Sequence, residues 1–209
     1  MKTLFFCTSL LENASLPKYV EWWKYYKQKF PEFDFVIFND GPIEESVLKQ
    51  LKLSIGQEFT DKNLITFDTK LGRIDHIHWG WYRSFKKALK IGRENYDRII
   101  HIEADAVVLS NRLFDFIFND NDGWKCLYTK KYFFPESAIQ IINKNSFHLI
   151  DDVPEEFDFH KIVELILPFR AVKTFIGDRY GEEGKLPEHK VNYVCQWNWD
   201  WYIDRDWIL

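Results

Sequence analysis

Apolar positions along the chain switch between two periods. Thr3 to Thr8, apolar from Leu4 to Cys7, reads as a strand. Leu16 to Phe30 carries Val20, Trp23, Tyr26 or Lys27, and Phe30 at helical spacing, with Pro17 in a first turn that tolerates it. Phe33 to Phe38 is a second strand, closed by the turn signal Asn39-Asp40-Gly41-Pro42. A helix over Ile43 to Leu53 and a short strand over Leu64 to Phe67 follow, then a loop from Lys70 to His78. Trp79 to Tyr96 is a helix with Phe85, Leu89, Gly92 and Tyr96 on one face and Arg83, Lys87, Lys90 and Glu94 on the other. Arg98 to Ile102 is a β-branched run and reads as a buried strand.

Beyond this strand the pattern changes. Ser110 is placed to cap a helix through Phe118. Asn119 to Gly123 is a turn, Trp124 to Tyr128 alternates as a strand, and Phe133 to Ser137 reads as a break before a strand over Ala138 to Ile142. Helices are expected over Asn145 to Ile150 and within Glu155 to Phe169. Lys173 to Lys190 is polar, bears Gly177, Gly181 and Gly184, and reads as a long loop, a feature that is often functional in compact domains. Strands alternating with helices build parallel β-α-β units. The expected fold is therefore α/β: one domain, an α/β/α sandwich with a mostly parallel central sheet and a mixed, aromatic-rich C-terminal part. Residues 1–110 would form one half and residues 111–209 the other.

In such sheets ligands bind beyond the carboxyl ends of the strands. The residues at those ends are Thr8, Ser9, Asn39, Asp40, Asp68, Glu103 and Asp105. Glu103 and Asp105 follow the Arg98–Ile102 strand directly, and carboxylates there are costly if buried and unpaired. A hard divalent cation, Mg²⁺ or Mn²⁺, would make sense of them, because such ions commonly combine one or two carboxylates with substrate phosphates. In an extended segment residues i and i+2 share a side, so both acids would face one ion while the small Ala104 faces away. The alternative reading of the triplet is a pair of solvated acids in a turn. Arg83 stands in the first turns of a helix whose amino end lies on the same edge, although the helical period puts it on the solvated face.

Composition narrows the classes. The chain has 209 residues, enough for one sizeable core, with 46% hydrophobic and 29% charged residues. A net charge of -4 argues against a general nucleic-acid binder, which needs a basic surface. Cys7, Cys126 and Cys195 are widely spaced and form no Cys-x-x-Cys, so neither a disulfide framework nor a zinc site is suggested and a reducing cytoplasm fits. The apolar start, Leu4 to Leu11, is short for an exported leader and meets Glu12 at once; no run reaches the length of a membrane span. There is no Gly-x-x-x-x-Gly-Lys-Ser/Thr and no Gly-x-Ser-x-Gly, which excludes P-loop and nucleophile-elbow enzymes. Aromatic residues make up 18%, a level that suits sugar stacking or reflects biased composition.

The block Trp81-Tyr82-Arg83 opening a helix, then Tyr96-Asp97-Arg98-Ile99-Ile100-His101-Ile102-Glu103-Ala104-Asp105-Ala106-Val107-Val108-Leu109, resembles the small nucleotide-sugar glycosyltransferases of the GT-A fold. The likeness follows element order over the first 150 residues or so and fades after Ile142. It implies a metal-dependent glycosyltransferase of hexosyltransferase type, moving a sugar from a nucleotide-diphosphate donor of UDP type to a saccharide or lipid-linked saccharide acceptor. Asp105 would ligate Mn²⁺ or Mg²⁺, with Glu103 holding the ion or the ribose; Glu103 departs from the family's Asp, and its extra methylene moves the carboxylate outward. Arg83 would sit near the donor phosphates, Asp40 would bond a uracil imide, and Thr8 would lie under the nucleotide. His189 matches a late histidine that many relatives supply to the metal. An inverting enzyme needs a carboxylate base; Glu136, following Pro135 on the acceptor side, and Asp178, in the glycine-bearing loop, are the candidates. Peripheral contact with an inner membrane face and self-association are compatible with this reading.

Weaker constellations remain. Asp75, His76 and His78 would suit a metal if extended, but without a third ligand at good spacing they read as a loop beside the donor site. Trp197, Trp199 and Trp201 either stack on an acceptor sugar or pack. Two other classes stay open: a nucleotidyltransferase of similar layers, although the first loop, Thr8-Ser9-Leu10-Leu11, lacks the expected glycines and arginine, and a non-catalytic nucleotide or sugar binding module.

Overall fold

The computed structural model describes residues 1–72, 79–129, 134–156, 167–168, 171–174, 177–179 and 192–195. Its elements run β1 (Thr3–Ser9), α1 (Leu16–Lys29), β2 (Asp34–Asn39), α2 (Glu45–Ile55), β3 (Leu64–Ile65), α3 (Trp79–Asn95), β4 (Arg98–Ile102), β5 (Ala106–Val108), α4 (Asn111–Asn119), β6 (Trp124–Thr129), β7 (Phe134–Asn143), β8 (Ala171–Thr174), β9 (Gly177–Arg179) and β10 (Tyr193–Cys195), with short 3-10 helices at Asp61–Asn63 and Lys144–Asp152. A seven-stranded sheet has the order β3-β2-β1-β4-β7-β6-β8, and β5, β10 and β9 form a small second sheet.

The first four strands of the large sheet are parallel, as the alternation of elements predicts. Period-2 alternation then decides which face each side chain reaches. Phe5, Cys7, Phe35, Ile37, Ile100 and Ile102 point into a core beneath α1, α2 and α4. Leu4, Phe6, Val36, Phe38 and Ile99 point into a second core beneath α3 and the 3-10 helix at Lys144–Asp152. Both faces are thus covered, which makes the α/β/α sandwich. Gly92 lets α3 lie close on β4, since a Cβ there would come within 2.4 Å of the Ile99 side chain.

Several expectations are corrected. The segment 134–137 belongs to β7 and is not a break; irregularity does occur, because the pairing of β6 with β7 shifts register between Cys126 and Leu127. β7 runs antiparallel to β4 and β6, which makes the sheet mixed on that side. The helix expected over Asn145 to Ile150 is present and is of the 3-10 type, Lys144–Asp152. The expected loop of 173–190 contains the end of β8 and all of β9. Ser110 caps α4 as expected, accepting from Leu113 N at 3.2 Å. Among the described residues, no helix is long and apolar enough to cross a membrane.

Candidate active site at the carboxyl ends of the strands

The chain passes from β1 to β2 to β3 in one direction and returns to β4 on the other side of β1. The carboxyl ends of β1 and β4 therefore flank the point where strand order reverses, the usual ligand crevice of an open α/β sheet. β1 and β4 pair with Phe6 opposite His101, and continuing that register brings half-buried Thr8 beside Glu103.

Glu103 and Asp105 do not share an extended segment. Ala106 N donates to Glu103 O at 3.0 Å, closing a tight turn with Ala104 and Asp105 at its tip. The expectation that Ala104 faces away holds, since it is 4% exposed and packs into the core under α1. β7 supports the turn from the other side, where Ala138 O accepts from Glu103 N at 2.9 Å. The turn expected by the alternative reading is present, with its two acids only partly exposed. Both residues are half-buried, and Asp105 Oδ1 is shielded from solvent without a hydrogen-bond partner. A buried carboxylate oxygen left in this state is costly unless something else completes it.

The floor of the site is uncharged. Burial pushes the Cys7 thiol well above its usual range, Lys18 opposes this, and Glu103 and Asp105 add to it. Burial likewise raises the Tyr19 hydroxyl, with Cys7, Asp105 and Glu103 contributing. Negative charge is thus concentrated on the acid turn above a neutral thiol and phenol. That donor set suits a hard divalent cation whose remaining ligands are phosphate oxygens and water. Among the described residues no three His, Cys, Asp or Glu side chains converge to hold an ion, so those residues supply at most the acid pair. His189 lies outside the described residues, as do Asp75, His76 and His78 and the Trp197–Trp201 segment.

The end of β2 is a second centre. Asn39 Oδ1 accepts from Leu11 N at 2.6 Å and from Ser9 Oγ at 3.1 Å, tying the loop after β1 to β2. Gly41 follows with φ of 111°, a backbone state that only glycine adopts without strain. Asp40 is 4% exposed, and its carboxylate accepts from Gly72 N at 2.7 Å, from Leu71 N at 3.3 Å and from Arg83 Nη2. Arg83 Nη2 also donates to Thr69 O at 2.6 Å, and the guanidinium lies 4.0 Å over the Phe67 ring. Arg83 is therefore turned inward from the solvated face where the helical period places it. Asp40 and Arg83 are brought together, but they hold each other and the segment after β3. A cleft of about 370 Å³ opens beside them, lined by Leu10, Leu11, Ala14, Pro42 and Val47, with the Glu12–Lys70 ion pair (2.8 Å) on its wall.

On the other flank Glu136 is fully buried within β7 and borders that strand's irregularity, since Leu127 pairs with Glu136 while Cys126 pairs with Gln140, so that the β6 register skips Ser137 to Ile139. Its Oε1 accepts from Ala138 N at 3.2 Å and its Oε2 from Cys195 Sγ at 3.2 Å. Cys195 pairs across to Ala106, next to Asp105, so Glu136 joins β7 to β10 behind the acid turn. Asp178 lies in β9 with its backbone in register with Val194, which in turn faces Val107. The small sheet therefore carries Asp178 to the acid-turn side of the molecule. The side-chain ties from Asn39 and Cys195 escape the sequence pattern: Asn39 is legible only as part of a turn, and nothing around Cys195 marks a strand or a partner for Glu136.

No family model matches the chain, and no curated protein matches it in sequence. Solved structures do match in shape. The galactosyltransferase LgtC, in complex with donor and acceptor sugar analogues, superposes with a TM-score of 0.51 at 13% identity, covering 93% of this chain and 86% of its own. A glycosyltransferase involved in glycosylation of the major capsid of PBCV-1 gives a TM-score of 0.53 at 10% identity, covering 94% and 93%. A protein from Bacillus anthracis assigned as a glucose-1-phosphate thymidylyltransferase, in complex with sucrose, gives 0.52 at 11% identity, covering 83% and 85%. At these identities the likeness establishes the fold: a glycosyltransferase-type α/β architecture over most of the chain.

Proposed function

We propose that the protein is a metal-dependent glycosyltransferase that moves a sugar from a nucleotide-diphosphate donor, of UDP type, to a saccharide or lipid-linked saccharide. The observation that carries this reading is Asp105 Oδ1, buried and unpartnered at the reversal point of a glycosyltransferase-type fold. Asp105 would hold Mn²⁺ or Mg²⁺, with Glu103 beside it on the ion or the ribose and His189 as a further candidate ligand. When bound, the cation neutralises charge developing on the diphosphate leaving group. Thr8 and the loop after β1 would underlie the nucleotide. Asp40 and Arg83 would act from behind the nucleotide cleft, holding the segment that brings Lys70 to its wall; direct contact of Asp40 with a base would compete with its bonds to Leu71 N, Gly72 N and Arg83, whereas Arg83 engages Asp40 through Nη2 alone. Asp178, on the side of the small sheet, is the better placed of the two carboxylates proposed as base, because Glu136 is buried and engaged.

The test is a thermal-shift panel of nucleoside diphosphates and nucleotide sugars with and without Mn²⁺, followed by turnover of whichever donor binds. A ligand that binds only the native state at 100 times its Kd raises stability by about 2.7 kcal/mol. No shift with any nucleotide, with or without metal, would overturn the assignment.

The thymidylyltransferase-like shape favours one second reading, transfer of a nucleotidyl group to a sugar phosphate. The products separate the two. Glycosyl transfer releases a nucleoside diphosphate, whereas nucleotidyl transfer from a nucleoside triphosphate releases pyrophosphate.

A further inference from the structure

The acid turn is gripped on both shoulders by one helix. Trp22 and Tyr26 stand four residues apart on α1, hence on one face of it, and both are 0% exposed. Trp22 Nε1 donates to Ile102 O at 3.0 Å, the carbonyl immediately before Glu103. Tyr26 Oη donates to Ala106 O at 2.8 Å, the carbonyl immediately after Asp105. The same hydroxyl accepts from Val108 N at 3.0 Å, and neighbouring Tyr25 donates to Val108 O. One side chain therefore fixes the strand that enters the turn and the other fixes the strand that leaves it. Between them the turn closes through the backbone bond from Ala106 N to Glu103 O.

From this arrangement we infer that Trp22 and Tyr26 are positioning residues for the ion site, setting the spacing and aim of the Glu103 and Asp105 carboxylates through the backbone on either side. The inference rests on the proposal that this turn holds a divalent cation. An acid pair on a free turn would splay apart by its own repulsion when empty. Anchoring both shoulders to α1, whose aromatic side chains are themselves locked in the core by Phe5 and Phe35, keeps the pair set before the ion arrives. Groups that orient metal ligands from behind typically cost 10–100-fold in affinity when removed. Trp22 and Tyr26 act through carbonyls next to the ligands, so the effect should lie near the low end of that range.

The experiment compares Mn²⁺ binding, by calorimetry with a nucleoside diphosphate present, in the wild type, Tyr26→Phe, Trp22→Phe and Tyr82→Phe, together with each protein's Tm and its preference among Mn²⁺, Mg²⁺ and Ca²⁺. Tyr82 is the control: its buried ring also donates a hydroxyl hydrogen bond, to Pro154 O at 2.5 Å, on the opposite face of the sheet. Tyr26→Phe should weaken Mn²⁺ binding about 10-fold and flatten the preference between small and large ions. Tyr82→Phe should lower Tm and leave both unchanged. If wild type binds no ion, the metal site itself fails. If wild type binds and Tyr26→Phe and Trp22→Phe bind equally well with unchanged preference, the site stands and the positioning role is overturned. Should Tyr26→Phe not fold, Trp22→Phe carries the same comparison through the other shoulder.

Discussion

A Cβ on Gly80 would stand 1.9 Å from Oδ2 and 2.2 Å from Cγ of Asp40. The amino end of α3 is thus pressed directly onto the carboxylate that closes β2, and the contact requires glycine because the opposing group is a short, buried side chain with little freedom to move. The same carboxylate holds Leu71 N, Gly72 N and Arg83, while Gly80 N donates to Gly72 O at 3.1 Å. Gly80→Ala should displace Asp40 and loosen all of these at once. Overpacking of this kind costs about 1–3 kcal/mol, and each kcal/mol lowers Tm by about 2–4 °C in a chain of this size. Asp40→Asn, which keeps the shape but weakens the Arg83 pair, should be milder. A Gly80→Ala protein with wild-type Tm and wild-type nucleotide shift would show that α3 can simply move away.

Asp105 makes an opposite prediction for stability. Its Oδ1 is buried without a partner, so the ion-free protein carries a cost that binding would relieve. Asp105→Ala and Asp105→Asn should therefore leave the Tm of the ion-free protein unchanged or raise it, while abolishing the extra stabilisation that Mn²⁺ gives with a nucleotide. Glu103→Ala should retain part of that response, because its longer side chain reaches outward. Differential scanning fluorimetry of the three variants with EDTA, Mn²⁺, nucleotide and both together checks this. A clear loss of ion-free Tm in Asp105→Asn would mean that Asp105 is structural, and the ion would have to be sought elsewhere.

The contrast between these two acids shows what the sequence could reveal. Hydrophobic periods located β1, α1, β2, α3 and β4 within a residue or two, because burial on both faces of a parallel sheet leaves continuous apolar runs. The acid pair was legible for the same reason: charges directly after such a run need an explanation. Its geometry was not legible, since the partners that flank the Glu103-Ala104-Asp105 turn lie far off in sequence: Ala138 O on Glu103 N, and Trp22 and Tyr26 on the carbonyls at either shoulder. Arg83 was misplaced by its period because Asp40 and Phe67 draw it back against the body of the fold. At Glu136 the pattern points to irregularity but not to its kind: β7 is continuous through Pro135, and the irregularity is a register shift against β6 directly after Glu136, which only the partner strand discloses.

Burial now sets the expectation for Glu136. With no exposed surface and its carboxylate bonded to Ala138 N and Cys195, it ties β7 to β10 behind the acid turn. Glu136→Gln should lower Tm and leave turnover per folded molecule within a few-fold of wild type, whereas Asp178→Asn should keep its Tm and lose turnover. A general base contributes about 10²- to 10⁴-fold. A loss of that size in Glu136→Gln at unchanged Tm and donor Kd would return the role of base to Glu136.

His101 makes the fold sensitive to acid. It is fully buried in β4, with the rings of Phe6, Phe85 and Trp81 at 4.8, 5.2 and 5.8 Å, and burial pushes its pKa down to about 3, against a raising contribution from the Ser137 backbone. In the unfolded chain the same imidazole titrates near about 6.5. Between these values the unfolded state binds the proton and the native state does not, so stability is fully present above the unfolded pKa and is lost as pH falls toward the folded one, by up to about 1.4 kcal/mol per pH unit. Other groups titrate in this window as well. Asp97 and Glu155, held low by Lys144 and Lys86, contribute in the same direction, but they are common to wild type and variant and cancel in a comparison. His101→Phe removes the titrating group while matching the rings around it. Denaturant midpoints of wild type and His101→Phe at pH 7, 5.5 and 4.5 should diverge as pH falls, the wild type losing stability faster whatever the offset at pH 7. Parallel losses in the two proteins would show that His101 takes up its proton without unfolding, through an opening of the layer between α3 and the sheet.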